Sequence, residues 1–141
     1  MKKNYIKKLL TIVFIGAIIF SIQSCARKMS FETSTVVPAA EGSVKIKKDK
    51  NKNYTVNLKV IRLSESKRLN PPKQTYVVWM KTDNNGTKNI GSMNTSSSLF
   101  SKTLKSSLQT VTPFKPQGFF ITAEDDAAVQ YPQGIVVLTT R

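Results

Sequence analysis

An all-β domain of about seven short strands in two packed sheets is what this sequence predicts, and three observations carry that reading. From Ser43 onward apolar and polar residues alternate with period two, most cleanly over Tyr54–Val60, the pattern of strands with one buried face. Turn-forming clusters interrupt the apolar runs at short intervals: Lys48 to Asn53, Leu69-Asn70-Pro71-Pro72, Asp83-Asn84-Asn85-Gly86, Pro113 to Pro116, and the stretch around Pro132 to Gly134. Between 43 and 141 only Leu99–Leu108 has apolar residues at helical spacing (99, 100, 104 and 108), and its many Ser and Thr residues favour strand.

The chain opens differently. Lys2, Lys3, Lys7 and Lys8 give a positive start, and Leu9–Ile22 is an apolar segment ending in Ser21-Ile22-Gln23-Ser24. Charge, apolar stretch and small-residue cleavage site, in that order, form a signal peptide. Residues 1–24 are therefore expected to be a signal-peptide helix that the mature protein lacks. The apolar segment has 14 residues, about 21 Å as a helix against a hydrocarbon core of roughly 30 Å, which is short for a permanent span. Ile22-Gln23-Ser24-Cys25 resembles the bacterial lipobox, with a branched apolar residue at −3, a small residue at −1 and an invariant cysteine. Gln23 departs from the small residue commonest at −2. The resemblance implies diacylglycerol on the Cys25 sulfur and cleavage before it, leaving a lipid-anchored envelope protein. Two or three acyl chains, at about 0.8 kcal/mol per buried CH₂, hold stably where one is marginal. The alternatives are a retained span and an ordinary buried cysteine. Ala26 follows the cysteine with no acidic run after it, which favours an anchor facing the periplasm.

Residues 25–42 read as the lipidated cysteine and a flexible linker, with a short edge strand near Thr35–Val37. The β domain spans 43–141. Val44 and Ile46 alternate with Lys45 and Lys47, and a hairpin returns through Tyr54, Val56, Leu58 and Val60. After the prolines, which forbid an interior strand, Thr75–Lys81 is apolar on both faces, as in a strand covered on both sides. Asn85-Gly86 predicts a tight hairpin with φ > 0 at both turn residues, returning over Thr87–Met93. Gly118–Thr122 and Ile135–Thr140 complete the set. Seven short strands in roughly 100 residues point to an immunoglobulin-like sandwich, with an open barrel as the alternative.

Composition removes much chemistry. The 141 residues contain no His and one Cys, which excludes His-dependent nucleophilic catalysis, His-ligated metal, an internal disulfide and a zinc-thiolate cluster. No phosphate loop or nucleophile elbow occurs. The formal charge of +14 falls to +10 without the four leader lysines, a property that bears on partners rather than on fold. No cofactor and no enzymatic activity are expected.

Tyr76-Val77-Val78-Trp79-Met80, the Asn-Gly hairpin, Ile90-Gly91-Ser92-Met93, Phe120-Ile121-Thr122-Ala123-Glu124 and Tyr131-Pro132-Gln133-Gly134-Ile135-Val136-Val137 follow in that order. Over about residues 74–140 this resembles the extracytoplasmic C-terminal domain of anti-sigma-K-type factors. The resemblance implies a β-sandwich acting as a sensing or interaction module. It does not extend to sigma-factor binding, because the helical sigma-binding domain of that family has no counterpart here, and Asp125 stands where the family has proline.

Three groups are candidate sites. Glu124, Asp125 and Asp126 form the only acidic cluster, suited to a Ca²⁺ ion or to ion pairing; as a pair of carboxylates it loosely fits glycosidase chemistry, and most simply it is a solvated strand end. Lys45, Lys47, Lys48, Lys50 and Lys52 form a basic hairpin that can hold anionic headgroups or envelope polymers, or can merely protect an edge from sheet-to-sheet pairing. Nucleic acid is not an expected partner of an exported protein. Trp79, Tyr76, Phe119 and Phe120 can line an apolar pocket or form core. The partners expected are thus a membrane, through Cys25, and another envelope protein.

Overall fold

The computed structural model describes residues 26–98 and 101–141. The signal peptide, its expected helix and Cys25 lie outside the described residues, as do Leu99 and Phe100. Among the described residues there are nine strands: β1 (Arg27–Ser30), β2 (Glu41–Lys48), β3 (Tyr54–Ile61), β4 (Thr75–Thr82), β5 (Thr87–Met93), β6 (Ser96–Ser98), β7 (Ser101–Thr112), β8 (Pro116–Glu124) and β9 (Ile135–Thr139). They form two antiparallel sheets, β1-β2-β3-β7-β6 and β5-β4-β8-β9. The order β2-β3-β7-β6 facing β5-β4-β8-β9 is the Greek-key arrangement of an immunoglobulin-like sandwich, A-B-E-D against C′-C-F-G. Ser101–Thr112 is strand, so the hydroxyl-rich composition outweighs the helical spacing of its leucines. β1 and β6 are the strands beyond the expected seven.

Period-two alternation places the core. Val44 and Ile46 of β2, Val56, Leu58 and Val60 of β3, Tyr76, Val78 and Met80 of β4, and Phe119, Ile121 and Ala123 of β8 are all buried in one cluster. Each large aliphatic or aromatic residue there contributes about 1.5–3 kcal/mol by leaving water. Tyr76 brings a hydroxyl into this core and donates it to the Ser64 carbonyl oxygen at 2.8 Å. Burial pushes its phenol pKa up, and the Ser64 side chain partly offsets that rise.

Three local expectations are corrected. The segment read as a flexible linker is part of the domain: β1 pairs with β2 from Arg27 opposite Ile46 to Ser30 opposite Ser43, and Met29, Val37 and Ala40 are buried. Thr35–Val37 is not a strand. Instead the Ser34 hydroxyl accepts the N–H groups of Val36 and Val37 at 3.1 and 2.9 Å, folding the chain so that Val37 reaches the core. The β4–β5 hairpin exists, but its loop is Asp83–Gly86 and only Gly86 has positive φ, at 67°. The Thr82 hydroxyl decides this, since it accepts the Asn85 N–H at 3.0 Å and donates to the Gly86 carbonyl at 2.7 Å.

Candidate functional site

The acidic cluster does not converge. Glu124 ends β8 and is buried; its Oε1 accepts the Thr122 hydroxyl at 2.6 Å and the Gln133 N–H at 3.1 Å. Asp125 is exposed and pairs with Lys73 Nζ at 2.6 Å. Asp126 accepts the Ala128 N–H at 2.9 Å. Among the described residues no group of His, Cys, Asp and Glu side chains is arranged to hold a metal ion. Glu124 is a buried acceptor inside a hydrogen-bonded network rather than the solvated strand end its sequence context suggests.

That network seals the outer face of the second sheet. Tyr76, Val78 and Met80 point into the core, so Val77 and Trp79, also buried, lie on the opposite face of β4. Residues 125–134 leave β8 and return to β9, and between these points the Asn89 amide of β5 donates to the carbonyl oxygens of Ala127 and Val129 at 3.0 and 2.9 Å. Since β5 and β9 are the two edges of the sheet, the loop crosses the face of β4 as a strap. Beneath it Trp79 Nε1–H donates to Thr122 Oγ1 at 2.8 Å, Thr122 donates onward to Glu124, and the Trp79 and Phe120 rings stack at 6.2 Å. Tyr76 and Phe119 belong to the main core. The four aromatics are thus split between two packed layers and do not line one pocket.

The strap returns to β9 through a backbone approach that only glycine permits. A Cβ on Gly134 would sit 1.8 Å from the Ala123 carbonyl oxygen, far inside contact distance. Beyond it β9 is the outermost strand of its sheet. Its last residues are covered, because Thr139 accepts the Glu32 N–H at 2.8 Å and Thr140 bridges Phe31. Its first residues are open and apolar: Ile135 and Val136 are 50% and 49% exposed, and Tyr131 on the approach is 76% exposed. Neither Lys nor Pro guards Ile135–Thr139, unlike edges built to resist pairing.

The basic residues separate onto two surfaces. Lys45 and Lys47 project from the outer face of the first sheet, and the register adds Lys28, directly opposite Lys45, and Lys59, diagonal to it. A shallow cavity of about 200 Å³ is lined there by Ser43, Lys45, Asn57 and Lys59. Lys48 sits at the strand end with Nζ 5.6 Å from the centre of the Tyr54 ring, and Lys50 and Lys52 occupy the turn. Lys28 and Lys59 lie outside the 45–52 run and become neighbours of Lys45 only through strand pairing; the alternation of Thr55, Asn57 and Lys59 with the apolar residues of β3 already puts Lys59 on the polar face of its strand. Like charges directly opposite one another destabilise a sheet by some tenths of a kcal/mol, so the Lys28–Lys45 pairing is a cost unless an anion offsets it. Compared with family models, with curated proteins and with solved structures, the chain matches none.

Proposed function

We propose that this is a lipid-anchored protein of the bacterial cell envelope, held by Cys25 and facing the periplasm, whose sandwich is a non-catalytic interaction or sensing module. The open apolar edge of β9 supports the reading best. An extended segment of an envelope protein can add to Ile135–Val137 as a further strand, main-chain hydrogen bonds supplying affinity and the exposed Ile135, Val136 and Tyr131 side chains supplying selectivity. The resemblance to the extracytoplasmic domain of anti-sigma-K-type factors supports the same class of role. The test is a photo-crosslinking side chain at Val136 in intact cells, with Lys67 as the control position. One dominant protein captured from 136 but not from 67, and lost when Ile135 becomes Lys, is expected; equal capture from both positions contradicts the edge as the contact.

A second reading rests on a different observation, the unrelieved Lys28–Lys45 opposition on the sheet face. On this reading the Lys28, Lys45 and Lys59 surface binds an anionic envelope polymer. Binding of dextran sulfate that falls steeply with salt and about tenfold in Lys45→Glu supports it; unchanged binding in that variant removes it.

A further inference from the structure

Strand register gathers the start of β1 and three connections at one end of the sandwich. Arg27 lies opposite Ile46, beside the β2–β3 turn at 49–53. Tyr54 pairs with Thr112 and Thr82 with Pro116, which brings the 83–86 loop and the 113–115 connection to the same end. Contacts agree with this: Lys115 Nζ is 3.5 Å from the Asp83 carboxylate, and Lys88 Nζ is 5.3 Å from the centre of the Phe114 ring.

This end carries Arg27, Lys48, Lys50, Lys52, Lys88 and Lys115. Its carboxylates are Asp49, which accepts the Asn53 N–H at 2.8 Å, and Asp83, taken by Lys115. Lys48, Lys50, Lys52 and Lys88 have no carboxylate partner among the described residues. The opposite end holds Glu41, Glu65, Glu124, Asp125 and Asp126 against Arg62, Lys67, Arg68, Lys73 and Lys105, with Arg62, Arg68 and Lys73 ion-paired to three of the carboxylates, so its formal charges cancel. Charge is therefore polarised along the strand axis, and the chain enters at the positive pole.

We propose that this basic end is a docking face for the anionic headgroups of the membrane that holds Cys25, so that the sandwich stands directly on the bilayer rather than swinging on a tether. The inference rests on the anchoring reading. Cys25 is two residues before Arg27, which already begins β1, so the acylated residue is at most about 7 Å from the domain. Screening acts over roughly 8 Å at physiological salt. The positive end is thus held within the range where headgroup charge is felt. A Lys near an anionic leaflet contributes about fivefold to association, so reversing Lys48, Lys50 and Lys52 lowers the ratio of docked to lifted domains at least about a hundredfold. Docking leaves the open start of β9, towards the far end, facing away from the bilayer.

The experiment uses the acylated protein, purified from membranes and returned to vesicles of phosphatidylethanolamine with phosphatidylglycerol. With Cys25 blocked by its acyl chains, a cysteine introduced at Asn51 or at Lys67 takes a fluorophore uniquely, and headgroup-spin-labelled lipid quenches it by proximity. Severalfold stronger quenching at 51 than at 67 is expected. The contrast disappears in 0.5 M salt, in phosphatidylcholine vesicles and in the Lys48→Glu, Lys50→Glu, Lys52→Glu triple variant. Equal quenching at the two positions in acylated, vesicle-bound protein overturns docking and leaves anchoring intact. Contrast that survives salt and the triple variant also overturns it, since charge is then not the cause. Loss of the contrast on adding dextran sulfate at constant salt supports a charge-held face, whereas dextran sulfate binding through these lysines with no contrast on vesicles reassigns the face to a soluble polymer. A protein without acyl chains removes the anchor, and docking then stands or falls on the same contrast measured with phosphatidylglycerol vesicles.

Discussion

Replacing Glu124 by Leu removes the acceptor that joins the strap to the sheet. The Thr122 hydroxyl, fully buried, loses its 2.6 Å acceptor, and the Gln133 N–H loses its 3.1 Å one. A buried donor left unpaired costs about 1–3 kcal/mol; the Gln133 N–H is only partly buried and can recruit water, so its share is near the lower bound. Relief from burying a carboxylate offsets part of this. The expected net loss is about 2–3 kcal/mol, while Glu124→Gln, which keeps an acceptor of the same shape, loses about 1 kcal/mol. Trp79 is the only tryptophan and is hydrogen-bonded to Thr122, so intrinsic fluorescence reports this network directly. In urea, with a slope of about 1–3 kcal/mol/M for a domain of this size, the Leu variant unfolds roughly 0.7–3 M earlier, and its native emission moves to longer wavelength. A Leu variant within about 0.5 kcal/mol of the parent, or one that weakens without altering native Trp79 emission, refutes the network as the fastening of the strap.

Other perturbations probe other joints. Gly134→Ala places a methyl group against the Ala123 carbonyl oxygen and is expected to cost about 2–4 kcal/mol in the same titration. Met29→Ala is expected to cost about 2 kcal/mol or more, whereas a segment that were a free linker would show no change. Tyr76, with its phenol pKa raised by burial and partly lowered by Ser64, stabilises the fold below its unfolded value of about 10, and that stabilisation is lost as pH rises through the higher folded value. Tyr76→Phe should therefore flatten the fall in stability above about pH 10 while costing about 1 kcal/mol at neutral pH from the lost Ser64 bond; an unchanged alkaline slope contradicts this.

Much of the sandwich is legible in the chain because its strands obey one rule. Tyr54, Val56, Leu58 and Val60 alternate with polar residues and face the core, and Thr75–Met80, apolar at nearly every position, is covered on both sides. Local reading fails where a distant residue decides. Arg27–Ser30 has no strand pattern of its own and is strand because β2 offers an edge. Glu124 resembles the exposed Asp125 and Asp126 in sequence, yet it is buried because Gln133 and Thr122 surround it. The basic surfaces were visible as a run of lysines, but alternation divides that run between a sheet face and a turn, and strand register then adds Lys28 and Lys59 to the face.

Intact mass of the protein recovered from bacterial membranes tests the central claim most directly. The account predicts a chain beginning at Cys25, heavier than residues 25–141 alone by a diacylglycerol group with or without a third acyl chain, and shed from the membrane fraction when Cys25 becomes Ser. A chain that begins at Met1, or one free of acyl mass, contradicts it.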